Sequence, residues 1–498
     1  MIRLLNVLRQ RAAEADATPV LACAGGEFSA QQLLEKLDAL LVELRASGIR
    51  RLALRADNGP GWAMLDIAAQ LAGLVVVPIP TFFSAEQTQW VLDQAGIDGV
   101  CASRSDAWFP GMAGGDSLGE LGVPDELVLA RRPVPEPVEL PRGTSKITFT
   151  SGSTGQPKGV CLSTSQCMAV AESLLARSGL RGARHLAILP LATLLENIAG
   201  LYMPILAGGT VILPGAREVG LAGSGGLDVP RMLSAIDHWQ PNSAILVPEI
   251  LRVLVAATGA GWTPPGSLRF LAVGGARVSP EIVLRARELG LPVYEGYGLS
   301  ECASVVSLNA PGVDRPGTSG RILPHVSVRE VDGELRISGN AFLGYLGDRA
   351  GWSPAEIASG DLGRVTEDGF LVIEGRRKNL LITSFGRNVS PEWVESELLA
   401  GGVLRQAVVF GDGRPGCCAL VYPLHQTTAD EAIDGAIEAA NARLPDYARV
   451  RGWHRLPRPL ESTPGLLTAN GRPRREAIAR YHREDIESLY PHEESLPQ

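Results

Sequence analysis

The chain has 498 residues, of which 45% are hydrophobic and 20% charged, and a formal net charge of −8. That length exceeds what one hydrophobic core supports, so at least two domains are expected, and the acidic balance argues against a general nucleic-acid binder. Seven cysteines without CxxC spacing and seven scattered histidines without an HExxH-like pair argue against a protein-held zinc and fit reduced thiols in the cytoplasm. Met1 to Glu14 lacks the uninterrupted apolar run of a signal peptide, and no stretch approaches the about 18 apolar residues of a membrane span. Ser29 reads as an N-cap, with Leu33, Leu37, Leu40, Leu41 and Leu44 following at helical spacing. Leu52–Leu54 reads as a strand, Trp62–Leu71 as a helix and Val75–Ile79 as a buried strand. A helix near Ala85–Gln94 and a strand near Val100 continue the alternation, which implies parallel sheet covered by helices. Pro133, Pro135, Pro137 and Pro141 mark an extended connector into a strand over Lys146–Thr150.

Beyond Ser300 the pattern changes. Val326–Val331 and Glu334–Ser338 flank Asp332-Gly333, a hairpin signal. Gly363–Thr366 and Phe370–Ile373 flank Glu367-Asp368-Gly369 in the same way. From Arg377 mixed elements return: a helix over Pro391–Leu399, strands over Ala407–Phe410 and Ala419–Tyr422, and an apolar stripe of Ile433, Ile437, Ala440 and Leu444. The expected fold is α/β. A large N-terminal domain, residues 1–376, has parallel-rich sheets covered by helices plus a β-rich lobe; a small α+β C-terminal domain, residues 377–498, follows.

Thr150-Ser151-Gly152-Ser153-Thr154-Gly155-Gln156-Pro157-Lys158-Gly159 carries the first chemistry. Glycine lets a backbone approach an anion closely. Hydroxyls and N–H groups surround phosphate oxygens, and Lys158 adds a point charge. It is no Walker A loop, because Pro157 stands where that pattern needs its second glycine. Taken alone, the segment also fits a Ser/Gly surface loop. Leu271-Ala272-Val273-Gly274-Gly275-Ala276 alone reads as a tight turn after a strand. In Tyr294-Glu295-Gly296-Tyr297-Gly298-Leu299-Ser300-Glu301 an aromatic between glycines offers a face to a purine, and Glu301 is a hard oxygen ligand suited to Mg²⁺. Ser359-Gly360-Asp361-Leu362-Gly363 alone is a turn. Glu374-Gly375-Arg376-Arg377-Lys378-Asn379 alone is a basic linker.

The first segment resembles the signature loop of the adenylate-forming superfamily: acyl-CoA synthetases, peptide-synthetase adenylation domains and luciferases. The others follow in that family's order, from Phe28 to Arg475. The resemblance implies that Thr150, Ser151, Gly152, Ser153, Thr154, Gly155 and Lys158 meet the β- and γ-phosphates of ATP, with Thr154 and Glu301 at Mg²⁺. It implies that Gly274, Gly275 and Ala276 lie against adenine, and that Glu295, Gly296, Tyr297, Gly298 and Ser300 complete the nucleotide site. Ser300 stands where the family's Y-G-x-T-E motif has threonine, and keeps the hydroxyl. Asp361, which as a carboxylate accepts two donors, and Arg376 match the ribose contacts. Lys378 matches the hinge of a mobile C-terminal domain, and Gly386 matches a small residue in the pantetheine tunnel. Leu189-Pro190-Leu191-Ala192-Thr193-Leu194-Leu195-Glu196-Asn197 resembles the P-L-A-H-I-F-E segment of long-chain acyl-CoA synthetases, with Thr193 replacing histidine. By that match Thr193, Glu196, Asn197 and Gly274 line the acid pocket; a plain core helix start is the other reading.

One residue departs from the pattern. The family's last motif, [SN]-G-K, carries a catalytic lysine, whereas here Asn470-Gly471 precedes Arg472. Arginine keeps the charge but is larger and planar. Either Arg472 takes over the lysine's role, or adenylation is slow beside the thioester step, or the chain binds ATP or acyl-adenylate as a regulatory protein. The resemblance favours a ligase that activates a carboxylic acid, with a fatty acid favoured, and passes it to CoA or to the phosphopantetheine of an acyl-carrier protein. No carrier segment follows in the sequence, so an external acceptor is expected.

Overall fold

A computed structural model describes residues 1–104, 106, 117–134, 138–150, 157–222, 226–468 and 471–490. Within the expected Ser29-led helix, Ala30–Ser47, the Ser29 hydroxyl accepts from the Gln32 N–H and the Gln32 side chain answers to the Ser29 N–H, a capping box. Gly48, at φ 68°, ends it in the left-handed region that glycine adopts freely. Leu33, Leu37, Leu40 and Leu44 are buried, each contributing roughly 1.5–3 kcal/mol. Leu41 lies on the flank of that stripe, half-buried.

Two sheets form the N-terminal region. One has nine strands, and its middle six are parallel in the order Val293–Tyr297, Phe270–Val273, Ser243–Leu246, Arg184–Leu186, Thr210–Ile212 and Leu21–Cys23. The other has eight strands. Lys146–Thr150 lies parallel to Val75–Pro78 and antiparallel to Lys158–Leu162, and the short strand Gly344–Tyr345 closes that edge. One continuous core, including Leu54, Trp62, Leu162, Leu191 and Leu323, packs the two sheets together.

The expected hairpin forms between Ser327–Val331 and Glu334–Ser338. Asp332 and Gly333 both take positive φ, 51° and 74°, as a two-residue turn of this hand requires. Glu356–Val365 and Leu371–Arg376 complete an antiparallel four-stranded sheet, the β-rich lobe. Leu404–Phe410, Cys417–Pro423 and Val450–Arg455 form a separate three-stranded sheet near the C-terminus. The helices Pro391–Ala400 and Asp430–Arg443 cover one face, where Ile433, Ile437, Ala440 and Leu444 are buried as expected. Leu456, Leu460 and Ile478 cover the other. All seven cysteines are free and six are buried; burial pushes the Cys417 thiol up to about 11. Among the described residues, no helix is long and apolar enough to cross a membrane.

Candidate active site

Strand ends from the two N-terminal sheets and from the four-stranded lobe come together with a turn of the C-terminal domain. Thr150 and Lys158 face each other across the ends of a hairpin. Ser151, Gly152, Ser153, Thr154 and Gly155 lie outside the described residues. The Lys158 ammonium sits 5.4 Å from the centre of the Tyr345 ring. Tyr345 in turn donates its hydroxyl hydrogen bond to Glu301 Oε1 at 2.7 Å. Glu301 stands on the 3₁₀ turn Ser300–Cys302, whose start at Ser300 is half-buried. Lys158 and Glu301 are thus joined through a tyrosine absent from the expected site. Its only sequence signal is Gly344-Tyr345-Leu346-Gly347, an aromatic near glycines like Gly296-Tyr297-Gly298.

A second cluster joins Tyr297, Asp361 and Arg376. Asp361 and Arg376 are partners in neighbouring strands. Arg376 Nε lies 2.7 Å from Asp361 Oδ1, and Tyr297 donates to Asp361 Oδ2 at 2.5 Å. Burial raises the Asp361 carboxyl, opposed by the charge of Arg376 and the Tyr297 bond. The glycines here answer to space. A Cβ on Gly298 would fall 1.5 Å from the Ser304 carbonyl oxygen, and one on Gly274 would lie 3.1 Å from that of Gly296. Gly275 takes φ +85°, and Ala276 beside it is exposed.

Glu295 accepts from Ser319 Oγ at 3.1 Å. Burial pushes its carboxyl up to about 7 from an ordinary 4.5, against the Ser319 bond and Arg277. The folded state therefore holds this proton more tightly than the unfolded chain does. The Glu295 contribution to stability is greatest below pH 4.5 and is lost as pH rises through about 7. Glu295→Gln, which never ionises, removes that dependence. Its melting temperature gains on that of the parent protein between pH 4.5 and about 7, and a constant difference across this window would contradict a buried carboxyl.

From the C-terminal domain, Arg472 reaches into the same site. Asn470 lies outside the described residues, but Gly471, at φ 72°, and Thr468 fold the chain back. The Thr468 hydroxyl accepts from the Arg472 N–H at 3.1 Å. The residue is exposed, and Arg472 Nη2 donates to the Gly275 carbonyl at 2.6 Å. Loss of hydration and the nearby Arg376 draw the guanidinium down from the usual arginine range, and Asp361 and Glu249 act the other way. Arg475 is committed elsewhere, to Glu395 Oε1 at 2.7 Å and the Val409 carbonyl at 2.6 Å.

Other expected site residues lie apart from this cluster. Lys378 is exposed on the 3₁₀ turn Arg377–Asn379. Gly386 takes φ +71° with open space where a Cβ would stand, so backbone conformation rather than crowding calls for glycine there. Thr193 is half-buried and bonds the Pro190 carbonyl at 2.7 Å. Glu196 and Asn197 open the π-helix Glu196–Tyr202 and point inward. Glu196 holds His185 Nε2 at 2.9 Å and the Leu189 N–H at 3.3 Å. Asn197 bonds Lys146 and Asp66. Both side chains spend their polar atoms inside the protein, because a buried polar group without partners is costly.

The comparison with known proteins agrees with this architecture. A family model described as AMP-binding enzyme matches residues 8–346, and one described as AMP-binding enzyme C-terminal domain matches residues 378–494. The long-chain-fatty-acid–CoA ligase FadD15 of Mycobacterium bovis is 29% identical, over 90% of this chain and 89% of that protein. The 2-succinylbenzoate–CoA ligase of Bacillus pumilus is 30% identical, over 54% of this chain and 56% of that protein. The crystal structure of the anthranilate CoA ligase AuaEII with anthranoyl-AMP superposes with a TM-score of 0.81, at 20% identity and 97% coverage of both chains. With the family model spanning most of its length, this chain belongs to the AMP-binding enzyme family.

Proposed function

We propose that this chain is an acid–thiol ligase that joins a carboxylic acid to AMP, with ATP and Mg²⁺, and then passes the acyl group to the thiol of CoA. The observation that carries this reading is Arg472. A guanidinium from the C-terminal domain touches Gly275 beside the Asp361–Arg376 pair. In the first half-reaction the carboxylate attacks the α-phosphorus of ATP and pyrophosphate leaves. Arg472 holds the two anionic partners together and stabilises their charge. Asp361 and Arg376 hold the ribose, with Tyr297 presenting its ring to adenine beside Gly274, Gly275 and Ala276. Glu295, Gly296, Gly298 and Ser300 shape that wall. Thr150 and Lys158, with residues 151–155 between them, receive the outer phosphates.

Glu301 fits a metal that keeps most of its waters. One of its oxygens faces Tyr345, and no group of three or more His, Cys, Asp or Glu surrounds it among the described residues. Glu301 and, by the family motif, Thr154 would hold Mg²⁺ there, which would supply neutralisation of phosphate charge. In the second half-reaction the C-terminal domain turns about Lys378 and presents the Gly386 loop to the thiol. The boundary between residues 1–376 and 377–498 is supported by the gap between the two family-model matches. A fatty acid is the favoured substrate, in line with the full-length similarity to FadD15, and Thr193 and Gly274 are its candidate pocket residues. A carrier-protein pantetheine is the second candidate acceptor.

Pyrophosphate release across a panel of fatty, aryl and dicarboxylic acids, with CoA and separately with a loaded carrier protein, tests this reading. Fatty-acid-dependent release and a CoA thioester are expected. No release with any acid would replace the ligase with a nucleotide-binding regulatory protein.

A further inference from the structure

The arrangement around Tyr345 goes a step beyond the reading above, on which it rests. Lys158 and Glu301 carry opposite charges on one side of the site, yet among the described residues neither has an ion-pair partner. Tyr345 touches both. Its ring faces the ammonium, and its hydroxyl holds one carboxylate oxygen.

The ring is itself fixed. Tyr345 pairs with Val160 in the strand that begins at Lys158. Trp352 Nε1 donates to the Tyr345 carbonyl at 2.9 Å, and Phe342 packs edge-on at 4.8 Å. The neighbouring Gly344 takes φ +132° with the Trp352 side chain where its Cβ would stand. A cation over an aromatic face and a hydrogen bond to a carboxylate both survive solvent exposure with modest strength. Neither neutralises its partner, as a direct ion pair would.

We propose that Tyr345 is a positioning residue that keeps Lys158 and Glu301 apart and aimed, so that the lysine remains available to phosphate and the carboxylate to a divalent cation. Its hydroxyl serves the metal side, and its ring serves both.

Calorimetric titration separates these parts, using ATP with Mg²⁺ and ATP with EDTA against the parent protein, Tyr345→Phe and Tyr345→Leu. Tyr345→Phe keeps the ring and loses only the hydroxyl. Its affinity for Mg·ATP is expected to fall about tenfold or more, the scale of one hydrogen bond to a charged group. Its affinity for metal-free ATP stays at the parent value. Tyr345→Leu, which lets the two charges meet, weakens both forms of ATP. A Tyr345→Phe variant with the parent preference for Mg·ATP over metal-free ATP would overturn the proposal, whatever Tyr345→Leu does. A parent protein that binds neither form would instead overturn the ATP reading itself.

Discussion

Arg472→Ala is expected to lower acid-dependent pyrophosphate release by about 10²–10³-fold, the usual cost of removing one charge-stabilising donor from a reacting centre. Arg472 reaches the site from another domain, and its contact with the Gly275 carbonyl sets its place. Arg475, nearby in sequence, is held by Glu395 and cannot substitute. Arg376 is already paired with Asp361. The loss should fall on the first half-reaction alone. Supplied with preformed acyl-adenylate, the variant should make thioester from CoA at the parent rate, because in the proposed mechanism that step follows a domain turn that carries residue 472 away. Arg472→Lys keeps a positive charge, as a compact ammonium of shorter reach on a flexible stem, and should recover most of the adenylation. Undiminished pyrophosphate release from Arg472→Ala would show that the charge comes from elsewhere.

Local signals carried much of the fold. Ser29 with Gln32 and Gly48, and the Asp332-Gly333 turn, sit where short-range chemistry decides the outcome, so the helix Ala30–Ser47 and the hairpin were legible. The short strand Gly344–Tyr345 was not, because two residues carry no periodicity and its pairing partner is far away in sequence. Within the site, Tyr297, Asp361 and Arg376 could be named from motifs, but their hydrogen bonding could not. Tyr345 carries no such motif, because its place comes only from contacts with Glu301 and Lys158, each distant in the chain. Glu196 and Asn197 went the other way. The family resemblance of Leu189–Asn197 implied that they line the acid pocket, with a plain core helix start as the other reading. In the structure both side chains are buried, Glu196 on His185 and Asn197 on the Lys146–Asp66 pair.

That inward cluster carries the largest expected effect on stability. Lys146 Nζ lies 2.7 Å from Asp66 Oδ1 and also bonds Asn197 and Tyr202, with both charged side chains at 1% exposure or less. Tyr202 donates to the other Asp66 oxygen, and Gln70 donates to Tyr202 at 2.6 Å. Lys146→Met preserves much of the side-chain volume but strands a carboxylate in the core, which costs about 3–5 kcal/mol when one partner of a buried pair is removed. Asp66→Leu combined with Lys146→Met removes both charges. It should be more stable than Lys146→Met alone, since a buried pair gains little over an apolar replacement once desolvation is counted. Denaturant unfolding followed through the N-terminal transition measures this, as a chain of several domains does not unfold in one step. A single variant with the parent midpoint would mean that water reaches Asp66. The consequence extends to the site. Lys146 begins the strand that ends at Thr150, and Asn197 lies in the first turn of the π-helix that follows Thr193. The same buried pair therefore ties the strand that leads to the proposed phosphate loop to the segment proposed to hold the acid, and loosening it should raise the KM for both substrates before the protein unfolds.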